Sequence, residues 1–288
     1  MSKRNRISAA IFVLSCVLGA TAVAAAPIAA GDGQQTVDIA GTRMTVFTYR
    51  PANCSDLVVA AGVSRRRPQC PQLPGLRPPT RRSELPAAGR AAVRPARLSR
   101  MALPARRHRQ GRRGPEPVGL SGRLVLALVD WARQQEGRPL AYSLLGHSAG
   151  GQFLERLAAF VPTQAKRIVV ANPGSYVFPS LDVAAPYGLG KVYASADGEA
   201  QLRRYLELPL TIYLGEADTR VDDRDDSPDA RAQGASRHQR GVNAFNAART
   251  LAQKRGWTFN WRLVELPGVG HNAPKMFSAP QASDALAP

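Results

Sequence analysis

Ser148 lies in Gly146-His147-Ser148-Ala149-Gly150-Gly151, a G-x-S-x-G arrangement placed directly after an apolar run and directly before an amphipathic one. That context, more than the five-residue pattern itself, predicts a sharp strand-to-helix turn that lifts a hydroxyl above a sheet edge. Flanking glycines let strand and helix approach without a Cβ clash. The helix N-terminus behind Ser148 offers N–H groups to a developing oxyanion. A serine hydroxyl attacks once a base takes its proton, and histidine is the usual base. The chain has four histidines. His108 sits in an anomalous basic segment and His238 in a polar stretch, while His147 is expected to point away from Ser148 and pack locally. His271 closes Pro267-Gly268-Val269-Gly270-His271, just after the last apolar run. Loops at that edge of a sheet supply reacting groups, so elimination and position make His271 the base.

The carboxylate that orients the imidazole should lie in the turn beyond a buried strand. Asp218 in Gly215-Glu216-Ala217-Asp218 fits, with Glu216 as its rival. Asp222, Asp223, Asp225 and Asp226 read as a solvated loop whose spacing fits no EF-hand, so no metal is assigned and no cofactor is expected. An oxyanion needs two N–H donors; Ala149 supplies one, and Gly62 or Val63 the second. The chemistry of such a set is acyl transfer through a covalent intermediate.

The elements that must position these groups are legible on both sides of residues 66–120. Thr36–Ala40 and Met44–Tyr49 alternate in polarity around Gly41, which predicts two short strands joined by a tight turn. Leu57–Ala61, Leu140–Leu145, Arg167–Ala171, Leu210–Leu214 and Phe259–Leu266 read as buried strands. Helices are predicted from Ser121 to Gly137, over Gln152–Phe160 and over Val242–Lys254, with a polar loop across Thr219–Arg240. Strands alternating with helices imply an α/β fold, a mostly parallel sheet with helices on both faces. A chain of 288 residues is long enough for one such domain.

Lys3, Arg4 and Arg6 precede an apolar run from Ile7 to Ala20 and small residues through Ala26. That order predicts a secretory signal peptide over 1–26, leaving a single domain over 27–288 in the periplasm or outside the cell. The run is too short for a stable membrane span. Val13-Leu14-Ser15-Cys16 offers a lipoprotein cleavage site as the alternative. Cys54 and Cys70 then sit in an oxidising compartment, where a disulfide between them is open.

The formal charge of +18 would ordinarily point to nucleic acid, but +12 of it falls within 66–120. That segment has fourteen arginines, ten prolines and no Phe, Tyr, Trp, Ile, Asp, Asn or Lys. With no aromatics to stack on bases and an exported chain, no nucleic-acid partner is expected. A structureless stretch of that length inside a compact domain is anomalous, and it is expected to be disordered or misfolded. Arg, Pro, Ala and Gly are what a GC-rich gene yields when translated out of frame. Advancing the frame by one base forces Trp where Met101 meets Ala102. The same shift reads Met101–Arg113 as W-R-Y-Q-R-G-G-I-V-K-D-G and Glu84–Pro95 as N-C-R-L-L-V-A-P-L-F-D, an apolar strand followed by a turn. A shifted frame over about 66–120 accounts for the segment.

Taken together, the Gly146–Gly151 turn, the Gly215–Asp218 turn and the Pro267–His271 loop resemble those of α/β-hydrolases, specifically secreted serine esterases and polyhydroxyalkanoate-depolymerase-like enzymes. The likeness covers about Val37–Arg65 and Ser121–His271. It implies the α/β-hydrolase fold, Ser148, Asp218 and His271 as catalytic residues, and a small or polymeric ester as substrate. A peptidase or thioesterase would use the same parts. Relatives often carry His-Gly in the oxyanion loop where this chain has Ala61-Gly62. An inactive product of a frameshifted hydrolase gene is the competing expectation.

Overall fold

Alternating polarity at the start of the chain produces the expected hairpin. In the computed structural model, which describes residues 27–52, 55–61, 88–94, 116–220 and 225–288, β1 (Gly31–Ile39) pairs antiparallel with β2 (Thr42–Arg50). Ala40 and Gly41 between them both have positive φ, 50° and 74°. That is the primed turn whose twist matches the flanking strands. The strands run longer than the alternation alone suggests, because β1 keeps pairing upstream to Gly31.

The sheet continues through β3 (Asp56–Ala61), β4 (Ala88–Arg94), β5 (Tyr142–His147), β6 (Arg167–Ala171), β7 (Leu210–Gly215) and β8 (Arg262–Leu266). Its order is β1-β2-β4-β3-β5-β6-β7-β8. Every pair from β4 to β8 is parallel, and β2 joins β4 antiparallel. The inner strands read as unbroken apolar runs because both of their faces are covered. In β7, Leu210, Ile212 and Leu214 enter one core while Tyr213 enters the other. In β6, Ile168 and Val170 face the first core, and Val169 and Ala171 the second.

The first and larger core is built with α1 (Glu116–Glu136), α2 (Ala149–Phe160), α3 (Ser195–Glu207) and α5 (Arg237–Arg255). The second core receives α6 (Ala273–Ser278) and α7 (Gln281–Leu286) through Met276, Phe277 and Ala285. None of the described helices is long and apolar enough to cross a membrane.

Several expectations shift. Residues 66–120 are not uniformly without structure: β4 lies between β2 and β3, and α1 starts at Glu116, five residues ahead of Ser121. A backbone slot flanked by two strands supplies hydrogen-bond partners whatever side chains the segment carries. The polar stretch 219–240 holds a helix, α4 (Pro228–Gln233), and the start of α5. Ser227 and Ser236 cap these helices, their hydroxyls accepting from Ala230 N–H and Gln239 N–H. The last strand begins at Arg262 rather than Phe259, and α3, α6 and α7 occupy stretches left unassigned by periodicity. The expected signal peptide, His108, Cys54, Cys70, Asp222 and Asp223 lie outside the described residues.

Candidate active site

The order β4-β3-β5 reverses the chain's direction of travel across the sheet, and crevices for ligands form at the carboxyl ends of strands at such a point. Ser148 leaves β5 there. Its backbone sits at φ 56° and ψ −123°, a region that costs a residue with a Cβ on the order of 1–3 kcal/mol. The surroundings hold it in place. Ser148 N–H donates to Ala171 O at 2.8 Å, and its carbonyl accepts from Gln152 N–H at 2.9 Å. Glycine at 146 is required because a Cβ there would stand 2.5 Å from the Gly150 carbonyl carbon and oxygen. Ala149 opens α2, so its N–H belongs to the first turn, whose donors lack intrahelical acceptors.

Asp218 stands on the turn after β7 and is 1% exposed, whereas Glu216 is exposed. The strand ends are tied together by Asn172, which is buried after β6 and accepts Gly215 N–H at 2.9 Å through Oδ1. The loop from Pro267 to Gly270 folds onto the same turn: Ala217 N–H donates to Val269 O at 3.0 Å. That close passage brings His271 to Asp218, with Nδ1 2.7 Å from Asp218 Oδ2. On the other edge of the ring, Nε2 is 2.9 Å from Ser148 Oγ. A carboxylate only accepts, so Nδ1 carries the ring proton and Nε2 presents its lone pair to the serine hydroxyl. Downstream, Asn272 caps α6 by accepting Lys275 N–H at 3.0 Å, which anchors the far side of the His271 loop.

Ser148, Asp218 and His271, predicted from separate parts of the chain, are thus brought together in one hydrogen-bonded line, and Glu216 is not part of it. Ala149 adjoins the serine. Ala61, the last described residue of β3, pairs in register with Gly146, so β3 ends beside the elbow. Gly62 and Val63, the expected second oxyanion donors, lie outside the described residues.

Two further residues reach the site. His147 packs its ring against His271, centroids 4.6 Å apart, with Phe277 edge-on at 6.3 Å. Burial, then the neighbouring His271, pushes the His147 pKa down to about 3, so it is neutral at pH 7. Arg237, buried at the start of α5, places Nη1 3.4 Å from Asp218 Oδ1. Sequence reasoning missed Arg237 because a charged residue at a helix start carries no local signal of what lies across from it. His238 pairs instead with Glu265, Nε2 to Oε1 2.6 Å. Asp225 accepts from Ser175 and Tyr187 hydroxyls at 3.0 and 2.9 Å, so it is bound into loops rather than solvated. Among the described residues no cluster of three or more His, Cys, Asp or Glu side chains could hold a metal ion.

Solved structures share this architecture. Poly(aspartic acid) hydrolase-1 from Sphingomonas sp. KT-1 superposes with a TM-score of 0.69 at 23% identity, over 90% of this chain and 99% of that one. LpqC, a poly(3-hydroxybutyrate) depolymerase from Bordetella parapertussis, gives a TM-score of 0.63 at 25% identity, over 86% of this chain and 88% of that one. No protein-family model matches the chain, and no curated protein matches it in sequence. The fold is the α/β-hydrolase fold.

Proposed function

We propose that this α/β-hydrolase-fold protein is a serine hydrolase that cleaves a carboxylic ester through a covalent acyl-enzyme. The observation that carries the reading is the unbroken line from Ser148 Oγ to His271 Nε2 at 2.9 Å and from His271 Nδ1 to Asp218 Oδ2 at 2.7 Å. Ser148 Oγ attacks the substrate carbonyl as His271 Nε2 takes its proton. Asp218 fixes the tautomer and stabilises the imidazolium. The oxyanion is held by Ala149 N–H, with Gly62 or Val63 as second donor. His271 then passes the proton to the departing alkoxide, and the ester bond breaks. Water, deprotonated by the same nitrogen, releases the acid and restores Ser148.

The likeness to a poly(3-hydroxybutyrate) depolymerase supports an ester, small or polymeric, as substrate. The basic, apolar, small-residue order of 1–26 supports export to the periplasm or beyond. A fluorophosphonate probe should label Ser148 in the wild-type chain and leave Ser148→Ala unlabelled; equal labelling of both refutes the assignment. Parallel rates on ester, thioester and amide chromogens decide between esterase, thioesterase and peptidase.

One observation favours a second reading, an inactive product of a frameshifted hydrolase gene. β4 lies inside the sheet between β2 and β3, yet its sequence is Ala-Gly-Arg-Ala-Ala-Val-Arg. Interior parallel strands are normally continuous apolar runs. Read one base further on, Glu84–Pro95 yields such a run at that same place. An apolar strand of about five residues contributes on the order of 10 kcal/mol of burial at ~1.5–3 kcal/mol each. That rivals a domain's net stability of ~5–15 kcal/mol. Cooperative melting of the chain as it stands refutes this reading. Failure to melt cooperatively, reversed by restoring the shifted frame, establishes it.

A further inference from the structure

Arg237 sits where a cation is least favoured. It opens α5, at the positive end of the helix dipole, and no acidic residue stands in that first turn to compensate. It is also 2% exposed, so its guanidinium has left bulk water and needs a partner in the fold. Facing it is Asp218, whose side chain is fully enclosed and whose Oδ1 lies 3.4 Å from Arg237 Nη1. The other oxygen, Oδ2, accepts from His271. The same helix turn holds the Asp218 backbone, because His238 N–H donates to Asp218 O at 3.3 Å.

The field of Arg237 also crosses the site. It is among the charges that lower the His147 pKa, in the opposite sense to Asp218. The His147 ring is 4.6 Å from that of His271. Among the described residues, His147 from the end of β5, Asp218 from the β7 turn and Arg237 from the start of α5 converge on this side of His271.

We propose that Arg237 is a positioning residue for the triad: it holds Asp218 from behind through Oδ1 so that Oδ2 meets His271. This rests on the serine-hydrolase reading above. The guanidinium is planar and reaches Asp218 Oδ1 through Nη1, so lysine replaces its charge but not the position of that donor.

The test is the separate measurement of kcat and KM on a p-nitrophenyl ester, with the rate of fluorophosphonate labelling as a second readout. Wild type, Arg237→Gln and Arg237→Lys are compared in the full-length chain. In Arg237→Gln kcat should fall about tenfold at unchanged KM, as expected when the base is misplaced and substrate binding is not. In Arg237→Lys, which keeps the charge but not the reach of Nη1, kcat should also drop about tenfold at unchanged KM. Within Asp218→Asn, adding Arg237→Gln should change kcat less than twofold. If Arg237→Gln folds but its kcat stays within twofold of wild type, Arg237 is only structural and the proposal falls. If Arg237→Gln does not fold, a wild-type kcat in Arg237→Lys overturns the proposal equally. A wild-type chain that neither turns over ester nor takes the probe overturns the hydrolase reading and, with it, this one. Reactive wild type with indifferent variants refutes Arg237 alone.

Discussion

Replacing Gly146 by alanine isolates the geometry of the elbow from its chemistry. The new Cβ would lie 2.5 Å from the carbonyl carbon and oxygen of Gly150 and 2.8 Å from Gly151 N. All three are backbone atoms, so no side chain can turn aside. Reaching an ordinary contact of 3.4 Å requires the first turn of α2 to retreat by about 0.6–0.9 Å. That turn carries Ala149 N–H, and Ser148 precedes it, with Oγ already 2.9 Å from His271 Nε2. A displacement near 1 Å at reacting groups costs about 10²-fold in rate, and overpacking costs about 1–3 kcal/mol of stability. Gly146→Ala should therefore lower kcat/KM on p-nitrophenyl butyrate by about 10²-fold and reduce Tm by several degrees. Gly256→Ala is the control. Its Cβ meets nothing within 4 Å, but its φ is 64° at the C-terminus of α5, the end opposite to Arg237. It should lose about 1 kcal/mol of stability with kcat/KM unchanged. If Gly146→Ala keeps kcat/KM within twofold of wild type, close packing of α2 on the elbow does not set the position of the nucleophile.

Two titratable groups, Glu155 buried and His147 half-buried, make opposite predictions for stability against pH. Glu155 on α2 accepts Val177 N–H at 3.2 Å and the Tyr205 hydroxyl at 3.0 Å, and burial raises its pKa from 4.5 to about 8. The folded protein holds a proton that the unfolded chain releases, so this contribution is complete below pH 4.5 and declines as pH rises to about 8. Glu155→Gln keeps the acceptor, so its Tm should lack this decline, which amounts to ~1.4 kcal/mol per pH unit at most; parallel Tm-versus-pH curves for the two proteins would contradict it. His147, lowered from 6.5 to about 3, works in the other direction. The unfolded chain binds a proton that the folded one refuses, so stability is complete above pH 6.5 and is lost as pH falls toward 3. His147→Phe preserves the aromatic contact with His271 and should retain roughly 2 kcal/mol more of its neutral-pH stability than wild type retains at pH 4.5, as read by chemical denaturation; equal acid losses would refute it.

Local patterns were enough for much of the site. The glycines around Ser148 demand a tight turn, the run from Leu210 to Leu214 ends just before Asp218, and His271 follows Leu266 by five residues. Strand identity was legible for β5, β6 and β7 because burial on both faces leaves an unbroken apolar signature. The order Ser, Asp, His along the chain told which turns should converge. Periodicity was silent where structure comes from capping and long-range contact. Ser227 and Ser236 start two helices inside a stretch that looks like a polar loop, and Glu155 places a carboxyl group wholly inside the core. Distances across the fold could be decided only by the tertiary structure. The sequence determined that Ser148, Asp218 and His271 were candidates, since each stands on its own recognisable turn. That Arg237 faces the back of Asp218, that His147 lies against His271, and that Glu216 stays in solvent are products of how β5, β7 and α5 pack. Side chains far apart in sequence carry no local trace of the neighbour that folding brings to them.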